Sequence, residues 1–241
     1  MSADCKYKRV LLKLSGESFC RPGEFGIDGE ALGSVAERIT EIARLGPQVA
    51  IVVGAGNILR GETFSKTSHI PRNTADYMGM LATIINACTL QETLEKLGQP
   101  TRVMSAIEVA AMCEPFLRRK ALRHLELGRI TILAGGTGNP FFTTDTCAAL
   151  RASELDVDLL IKATKVDGVY SEDPETNPQA QLYTNLSYTD VLSQGLRIMD
   201  HAAISLCRDN DIPIVVLNIF RTGNITKAIC GEQVGTLIGR P

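Results

Sequence analysis

The sequence predicts an α/β fold in which a mostly parallel sheet is covered by helices on both faces. Short, continuous apolar runs, typical of buried strands, alternate along the whole chain with longer segments of helical periodicity. Glycines and polar side chains follow several of these runs directly, where the carboxyl ends of the strands would lie. Because ligands of open parallel sheets bind at that edge, the same pattern indicates the position of a functional site.

The composition is that of an ordinary globular protein. The 241 residues are 44% hydrophobic and 22% charged, with a formal net charge of −2. No linker, repeat or break in composition divides them, so we expect a single domain over 1–241 with a flexible N-terminus over 1–8. The near-neutral charge argues against a nucleic-acid-binding function, and no apolar run is long enough to predict a membrane span.

The cysteine pattern predicts free thiols rather than a metal site. There are seven cysteines, with no CxxC or Cys/His ligand spacing. Several of them, such as Cys88, Cys147 and Cys207, lie within apolar patterns. Buried free thiols are typical of a reducing compartment, and the N-terminal segment has no apolar signal core, so we expect a cytoplasmic location.

The first half of the chain contains four predicted strands. In order, the pattern predicts a strand at 10–14, a helix from 28 to 43, a strand at 49–53, a helix at 74–97, a strand at 101–104, helices at 107–112 and 116–127, and a strand at 130–134. Asp28 is the expected N-cap of the first helix, and Gly46 and Pro47 end it. The segments 15–17 and 54–57 are predicted turns at strand ends.

The second half continues the alternation after the loop 135–145. It predicts a helix from 146, a strand at 158–163, a turn at 164–170, an exposed loop at 171–185, helices at 189–194 and 200–207, a strand at 212–218, a helix at 224–229 and a strand at 235–238. Asp200 is the expected N-cap of its helix. Because strands and helices alternate throughout, most strand pairs should be parallel.

The loop 135–145 is the most distinctive segment of the chain. It runs from the end of a buried strand to the start of a helix, a common position for an anionic ligand. Its glycines allow backbone N–H groups to approach a ligand, and its threonines and Asn139 add donors. The adjacent Phe141 and Phe142 can form one wall of a pocket. For the glycines alone, an ordinary strand–loop–helix turn is an equal alternative.

Four charged side chains occupy the same predicted edge. Lys13 lies near the end of its strand and either points at a phosphate or extends to water, and Lys162 has a similar place in another strand. Arg60 follows the second glycine turn and can reach a phosphate oxygen. Asp76 lies in the predicted first turn of its helix, where capping is the simpler interpretation.

The basic cluster at 118–123 is typical of a solvated face, with an effector site or a subunit contact as alternatives.

Glycine turns, lysines, an arginine and a carboxylate at one sheet edge indicate phosphoryl transfer. Amides and cations spread charge, and a carboxylate such as Asp145 orients lysines or holds a metal through water. The place of Asp145 at a helix start also suits a simple N-cap.

The sequence lacks the motifs of other enzyme classes. Leu59 stands where a dinucleotide fingerprint needs its third glycine, and there is no P-loop, no HRD or DFG motif and no nucleophile elbow.

Five segments together resemble one family. They are 13–17, 54–57, 76–83, 135–145 and 162–170. They resemble the bacterial uridylate kinases of the amino-acid kinase superfamily, and the similarity runs from Lys8 to Ile238. The resemblance implies a three-layer α/β/α sandwich that transfers the γ-phosphoryl group of ATP to UMP, giving UDP for pyrimidine nucleotide biosynthesis. It also implies Mg²⁺ held through the nucleotide phosphates with no protein metal ligand, a homohexamer, and GTP and UTP as effectors.

The resemblance further implies roles for individual positions. Catalytic roles fall to Lys13, Arg60, Asp145 and Lys162. The implied ATP-binding residues are Lys13, Leu14, Ser15, Gly16, Gly56, Arg60, Thr164, Tyr170 and Asp173. The implied UMP-binding residues are Ala55, Asp76, Thr137, Gly138, Asn139, Pro140, Phe141, Phe142, Thr143 and Thr144. The family usually has glycine at the position of Ala55, where a methyl group would crowd a phosphate.

Two other functions stay open at this point. A kinase for an acyl acceptor such as aspartate or acetylglutamate would belong to the same superfamily but would lack the string 139–145. A non-catalytic sensor of uridine nucleotides would have a degenerate site without Lys13 or Asp145, and both residues are present.

Overall fold

A nine-stranded sheet forms the centre of the computed structural model, which describes residues 5–59, 64–66, 68–174, 176–177, 179–196 and 198–240. The strands are β1 Arg9–Leu14, β2 Gln48–Val53, β3 Thr101–Ser105, β4 Glu114–Pro115, β5 Ile130–Ala134, β6 Leu159–Thr164, β7 Val169–Tyr170, β8 Leu182–Tyr183, β9 Asn185–Ser187, β10 Ile214–Asn218 and β11 Thr236–Gly239. The sheet order is β4-β3-β5-β2-β1-β6-β10-β11-β9, and β7 pairs separately with β8. Every pair in the large sheet is parallel except β10 with β11, which confirms the predicted sheet.

Helices cover both faces of this sheet. They are a short 3₁₀ helix Gly16–Phe19, α1 Gly29–Arg44, α2 Arg72–Lys96, α3 Arg118–Glu126, α4 Thr144–Glu154, α5 Tyr188–Ser193, α6 His201–Asp209 and α7 Asn224–Cys230. Helices α1, α2 and α7 bury apolar side chains against one face, and α3 to α6 bury theirs against the other. The architecture is therefore a three-layer α/β/α sandwich.

Successive side chains of a strand point to opposite faces of the sheet, so each central strand contributes to two cores. In β1, Val10 and Leu12 belong to the core that contains α1, whereas Leu11 belongs to the core beneath α4. Both faces are covered, which is why these strands appear in the sequence as unbroken apolar runs. Lys13 interrupts the run on the α4 face at the carboxyl end of the strand, so the second core stops there.

The N-caps predicted for α1 and α6 are confirmed. The Asp28 carboxylate accepts the backbone N–H of Ala31 at 2.9 Å. The Asp200 carboxylate accepts that of Ala203 at the same distance. These caps set where α1 and α6 begin.

Two predictions of secondary structure are wrong. The segment 107–112 forms bends and turns instead of a helix. The first N–H of this segment, that of Ile107, bonds to Ser105 Oγ at 3.1 Å, and so short a segment does not offset the cost of helix nucleation. The segment 171–185 is not wholly loop, because β8 lies in it and pairs antiparallel with β7. Its residues 175 and 178 lie outside the described ranges.

All seven cysteines are described and are free thiols. Cys20, Cys147 and Cys207 are buried. Burial raises the pKa of the Cys147 thiol to about 11 and that of Cys207 to about 12, so both stay protonated at neutral pH. Across the described ranges, no three His, Cys, Asp or Glu side chains are grouped to hold a metal ion, and no helix is long and apolar enough to cross a bilayer.

Candidate active site

Two lysines lie side by side at the carboxyl end of the sheet. Strands β1 and β6 are parallel neighbours, and their register places Lys13 opposite Lys162. Both follow leucines, Leu11 and Leu160, that are buried on the same face two residues earlier. Only 11% and 14% of the two lysine side chains is exposed. Two ammonium groups this close and this deeply buried repel each other, so the arrangement needs a negative charge.

Asp145 supplies that charge. Its Oδ1 lies 2.9 Å from Lys13 Nζ, and its Oδ2 lies 2.8 Å from Lys162 Nζ. Burial alone would raise the pKa of the Asp145 carboxyl, but the two ammonium groups outweigh it and hold the pKa below its usual range. Burial, aided by Lys13, lowers the pKa of Lys162 more than Asp145 raises it. This lysine–aspartate trio has two cations for one anion, which suits it to attract a further anion.

The start of α4 presents Asp145 to the lysines. The N-cap is Thr143, whose Oγ1 accepts the backbone N–H groups of Asp145 at 3.1 Å and Thr146 at 3.2 Å. The interpretation of Asp145 as a simple N-cap is therefore wrong. Because Thr143 satisfies the helix end, the Asp145 carboxylate is left to contact the lysines, in a first turn where the helix dipole favours a negative charge.

Asp200 connects two helix starts beside the trio. In addition to capping α6, its carboxylate accepts the hydroxyl groups of Thr143 and Thr146, the latter at 2.8 Å. Lys162 Nζ also donates to the carbonyl of Ile198, just before α6. The sequence predicts Asp200 only as a cap, so its link to α4 is a feature that sequence reasoning missed.

Two glycine turns, after β1 and after β2, lie against each other at this edge. A Cβ at residue 16 would collide with Asn57 Oδ1 and would lie 2.6 Å from the Gly56 nitrogen, so Gly16 is required there. The Gly54 N–H donates to the Leu14 carbonyl at 2.8 Å and joins the two turns. Their backbones therefore form one surface at the end of the two strands.

Two other residues at these turns are nearly inaccessible to a ligand. Leu14 is fully buried in the core, and Ala55 is only 7% exposed. Ser15 caps the short 3₁₀ helix, where its Oγ accepts the Glu17 N–H at 3.4 Å. An anion bound here would meet N–H groups and one hydroxyl, which suits a phosphate.

The loop 135–145 is held in a conformation that needs its first glycine. Gly135 has a φ of 74°, and a Cβ there would lie 2.7 Å from Ser105 Oγ. Its N–H donates to Thr83 Oγ1, in the middle of α2, at 2.8 Å. The buried side of the loop is therefore tied to that helix.

Asp76 holds the middle of the same loop. Its Oδ2 accepts the Phe141 N–H at 2.8 Å, and its Oδ1 lies 2.7 Å from Arg72 Nε. The Arg72 guanidinium lies 6.0 Å from the centre of the Phe141 ring. Because α2 begins at Arg72, Asp76 is past the first turn, and its predicted capping role is wrong.

The two phenylalanines of the loop are exposed at a polar edge of the protein. Phe141 has a φ of 73°, a conformation that is uncommon for a bulky side chain and that the Asp76 bond stabilises. Between the glycines and the rings, Thr137 Oγ1 accepts the Asn139 N–H at 3.2 Å. Backbone strain and exposed aromatic rings together are typical of a ligand-binding segment.

A cavity of about 570 Å³, large enough for a small ligand, opens beside Lys162. Its lining includes Thr164, Tyr170 and Asp173, for which the family resemblance implies contact with ATP. A second cavity of about 490 Å³ is lined by Lys162 and Asp145 among others. The trio therefore borders both cavities.

Of two basic features of the sequence, one falls outside the described residues and the other forms ion pairs on the surface. Arg60 lies outside the described ranges, so its role at a phosphate stays a prediction. The basic cluster 118–123 lies at α3, where Arg118 pairs with Asp156 and Arg123 pairs with Glu126 on the surface. These pairs fit the interpretation of a solvated face.

Sequence reasoning missed two buried residues of α2 that shape the site. One is Thr83, which holds Gly135, and the other is Asn86, whose Nδ2 donates to the Gly54 carbonyl at 2.8 Å. Together with Asp76 they lie on one face of the helix, because their spacings of seven and three residues are close to whole turns. Polar residues at core positions of the helical pattern were the available signal.

Comparisons with known proteins match nearly the whole chain. The model of the amino acid kinase family matches residues 8–218. The chloroplastic uridylate kinase PUMPKIN of Arabidopsis thaliana is 53% identical over 234 residues, which are 97% of this chain and 69% of that protein. The crystal structure of UMP kinase from Bacillus anthracis has a TM-score of 0.93 and 40% identity, covering 97% of this chain and 96% of the other. The UMP kinase from Ureaplasma parvum has a TM-score of 0.90 and 35% identity, covering 98% and 100%.

Asp145→Asn removes the negative charge between the lysines and leaves the Thr143 cap in place. We expect the free energy of unfolding at neutral pH to fall by on the order of 3 kcal/mol, because two buried cations lose their counter-charge. The folded pKa of Asp145 lies below its ordinary value of 3.8. The stabilisation is therefore present above that value and is lost as the pH falls through the folded pKa.

Urea unfolding of both proteins at a series of pH values measures this effect. The difference between wild type and variant should be constant near neutral pH and should shrink below about pH 4. Asp209→Asn, which removes an exposed partner of Arg208, is the control and should change stability by less than about 1 kcal/mol. An equally small effect of Asp145→Asn would contradict the ion-pair assignment.

Proposed function

The chain belongs to the amino acid kinase family, and we propose that it transfers the γ-phosphoryl group of ATP to UMP, giving ADP and UDP. The observation that carries this proposal is the lysine–aspartate trio, which reaches from a ligand-sized cavity to the end of the loop 135–145. The relatives that match the chain over nearly its full length are a uridylate kinase and UMP kinases, and the acceptor is taken from them.

Charge repulsion is the main obstacle to this reaction. The acceptor is a phosphate oxygen of UMP, which is already anionic at neutral pH, so the transfer needs no general base. Lys13 and Lys162 offset the repulsion between the two nucleotides and stabilise charge on the transferring group. One well-placed group of this kind contributes on the order of 3–4 kcal/mol, or about 10²–10³ in rate.

Asp145 acts on the two lysines in this scheme. Burial lowers the pKa of Lys162, so without a nearby carboxylate that lysine would lose its proton more readily. The Asp145 oxygens hold each ammonium within 3 Å and prevent the two cations from moving apart. The surplus positive charge of the trio remains available for a phosphate.

We place ATP between the glycine turns and the cavity of about 570 Å³. Thr164, Tyr170 and Asp173 line that cavity and would hold the adenosine side. The phosphates would lie along Lys13, Leu14, Ser15, Gly16 and Gly56, and would meet backbone N–H groups of the turns and the Lys13 ammonium group. Arg60 would add a second cation to the phosphates.

We place UMP against the loop 135–145, with Thr137 to Thr144 around it. Asp76 already bonds to the backbone of this loop and can accept a ribose hydroxyl. Ala55 is only 7% exposed and would therefore contribute little of the contact with UMP. Phe141 and Phe142 would wall the pocket on its exposed side.

Kinases of this family use ATP with a divalent metal ion, and we propose Mg²⁺. We expect nucleotide phosphates to supply most of its non-water ligands, because Mg²⁺ usually combines one or two carboxylates with substrate phosphates and water. Although burial opposes them, the lysines hold the pKa of the Asp145 carboxyl below its usual range, so it is ionised at neutral pH and suited to hold the ion through water. When bound, the ion would neutralise charge on the phosphates.

The cellular setting remains a set of predictions from the resemblance. They are a role in pyrimidine nucleotide biosynthesis, a cytoplasmic location, and GTP and UTP as effectors. The seven free cysteines fit a reducing compartment.

An assay of ADP release with a panel of acceptors tests the proposed function. We expect turnover with UMP, much lower turnover with CMP and dUMP, and none with aspartate, glutamate or acetylglutamate. Uracil and cytosine present opposite donor and acceptor patterns, and each polar group left unpaired by the wrong base costs roughly 1–3 kcal/mol. The nucleotide dUMP lacks the ribose hydroxyl group that would donate a hydrogen bond to Asp76, so its turnover should be lower.

The comparison uses kcat/KM for each acceptor at matched enzyme and ATP concentrations. Equal values for CMP and UMP would contradict the reading of the base by the loop 135–145. Turnover of an amino acid without turnover of UMP would contradict the acceptor assignment itself.

We also propose a homo-oligomer, a hexamer built from dimers, on the basis of the resemblance. The outer face of α2 supports it, because Tyr77, Leu81 and Ile85 form an exposed apolar stripe at four-residue spacing. Sedimentation equilibrium at micromolar concentration should give a mass about six times that of the 26.1 kDa chain. A species with the mass of one chain would rule the proposal out.

A further inference from the structure

Two buried asparagines join the glycine turns to α2. Asn57 follows the turn after β2, Asn86 lies in α2, and each is 1% exposed. Asn57 Nδ2 donates to Asn86 Oδ1 at 3.1 Å, and Asn86 Nδ2 donates to Asn57 Oδ1 at 2.8 Å. The second hydrogen of each amide goes to a backbone carbonyl, that of Gly26 at 2.7 Å and that of Gly54 at 2.8 Å. Every amide donor of the pair is therefore used.

This pair lies at the contact between the two turns. The Gly54 carbonyl, which Asn86 holds, belongs to the turn after β2. Asn57 Oδ1 occupies the space that any side chain at residue 16 would need, so the turn after β1 rests on the same amide. The Asn57 carbonyl in addition accepts the Gly26 N–H at 2.7 Å. The two asparagines thus fix three chain segments relative to one helix.

We propose that Asn86, acting through Asn57, is a positioning residue that sets the spacing between the turn after β1 and the turn after β2. The inference rests on the proposed function, in which the first turn and Gly56 of the second turn meet the phosphates of ATP, and Ala55 of the second turn meets UMP. The spacing of the turns then sets the distance from the transferring group to the acceptor oxygen. A misplacement of about 1 Å at such a site can cost about 10²-fold in rate.

A purely structural role would not require amides at these two positions. Replacing a buried polar pair by apolar residues of similar shape is often neutral for stability. A fully satisfied polar network, in contrast, specifies one arrangement of the groups it joins. The glycines of these turns have no side chains to pack, so directional hydrogen bonds are a means to fix the turns that contain them.

The variants Asn86→Asp and Asn86→Leu test the proposal, with Leu94→Ala as the control. Both substitutions at residue 86 are close to asparagine in size. An aspartate has at most one hydrogen to donate where the asparagine amide has two, so it loses at least one of the two donated bonds, and a leucine makes none of them. Leu94 is fully buried in α2 about two turns further along, and its truncation should cost roughly 2–5 kcal/mol of stability without contact to the turns.

We expect kcat to fall about 10- to 100-fold in both Asn86 variants, with KM for ATP and for UMP within about three-fold of wild type. The rates are measured per folded molecule, at a temperature below the melting transition that circular dichroism gives for each variant. Leu94→Ala should lower Tm and keep kcat. Amide hydrogen exchange over 15–19 and 54–59, which does not depend on turnover, should become faster in the Asn86 variants only.

Asn86 variants with a kcat within about two-fold of the control, and with unchanged exchange in both segments, would show that the pair is structural only. A wild-type enzyme that does not phosphorylate UMP would instead contradict the proposed function. In that case the exchange measurement alone decides whether Asn86 holds the turns.

Discussion

The repulsion between two buried ammonium groups, those of Lys13 and Lys162, is the constraint that the rest of this site has to offset. Lys13 and Lys162 lie opposite each other on neighbouring central strands, so neither can move away without disturbing the sheet. A carboxylate must therefore reach between them, and Asp145 does so from the start of α4. Thr143 provides the helix cap instead, and Asp200 braces the two helix starts. The trio of Lys13, Asp145 and Lys162 keeps one more positive than negative charge, which the phosphate of a substrate can balance.

Helix α2 positions the backbone of the loops at the site, whereas α4 positions the Asp145 carboxylate. Its buried face carries three polar residues, Asp76, Thr83 and Asn86, and each of them bonds to the backbone of a loop at the carboxyl edge. The glycines of these loops have no side chains that could pack against the core. Hydrogen bonds from α2 hold the loop backbones in place instead. The opposite face of the same helix is apolar and exposed, which makes α2 the element that borders both the site and the proposed subunit contact.

Much of this arrangement follows from local patterns in the sequence, and the rest depends on register and on contacts between distant segments. The unbroken apolar runs predicted the strands, and lysines near the ends of two runs predicted one charged edge, because parallel strands end together. The sequence does not show that Lys13 and Lys162 are in register. The apolar periodicity predicted a helix start at residue 74 and so placed Asp76 in the first turn. The helix α2 in fact begins two residues earlier, at Arg72. Asn86 could not be interpreted before the turn that it contacts was known.

The lysine–aspartate trio should act on the transfer step more than on the binding of nucleotides. Single-turnover kinetics of Lys13→Gln test this most directly, with Lys96→Gln at the exposed end of α2 as the control and circular dichroism to confirm folding. We expect the transfer rate of Lys13→Gln to fall by about 10²–10³ while the Kd of UMP changes by less than about three-fold. A folded Lys13→Gln variant whose transfer rate stays within a few-fold of wild type would contradict the assignment of this trio to phosphoryl transfer.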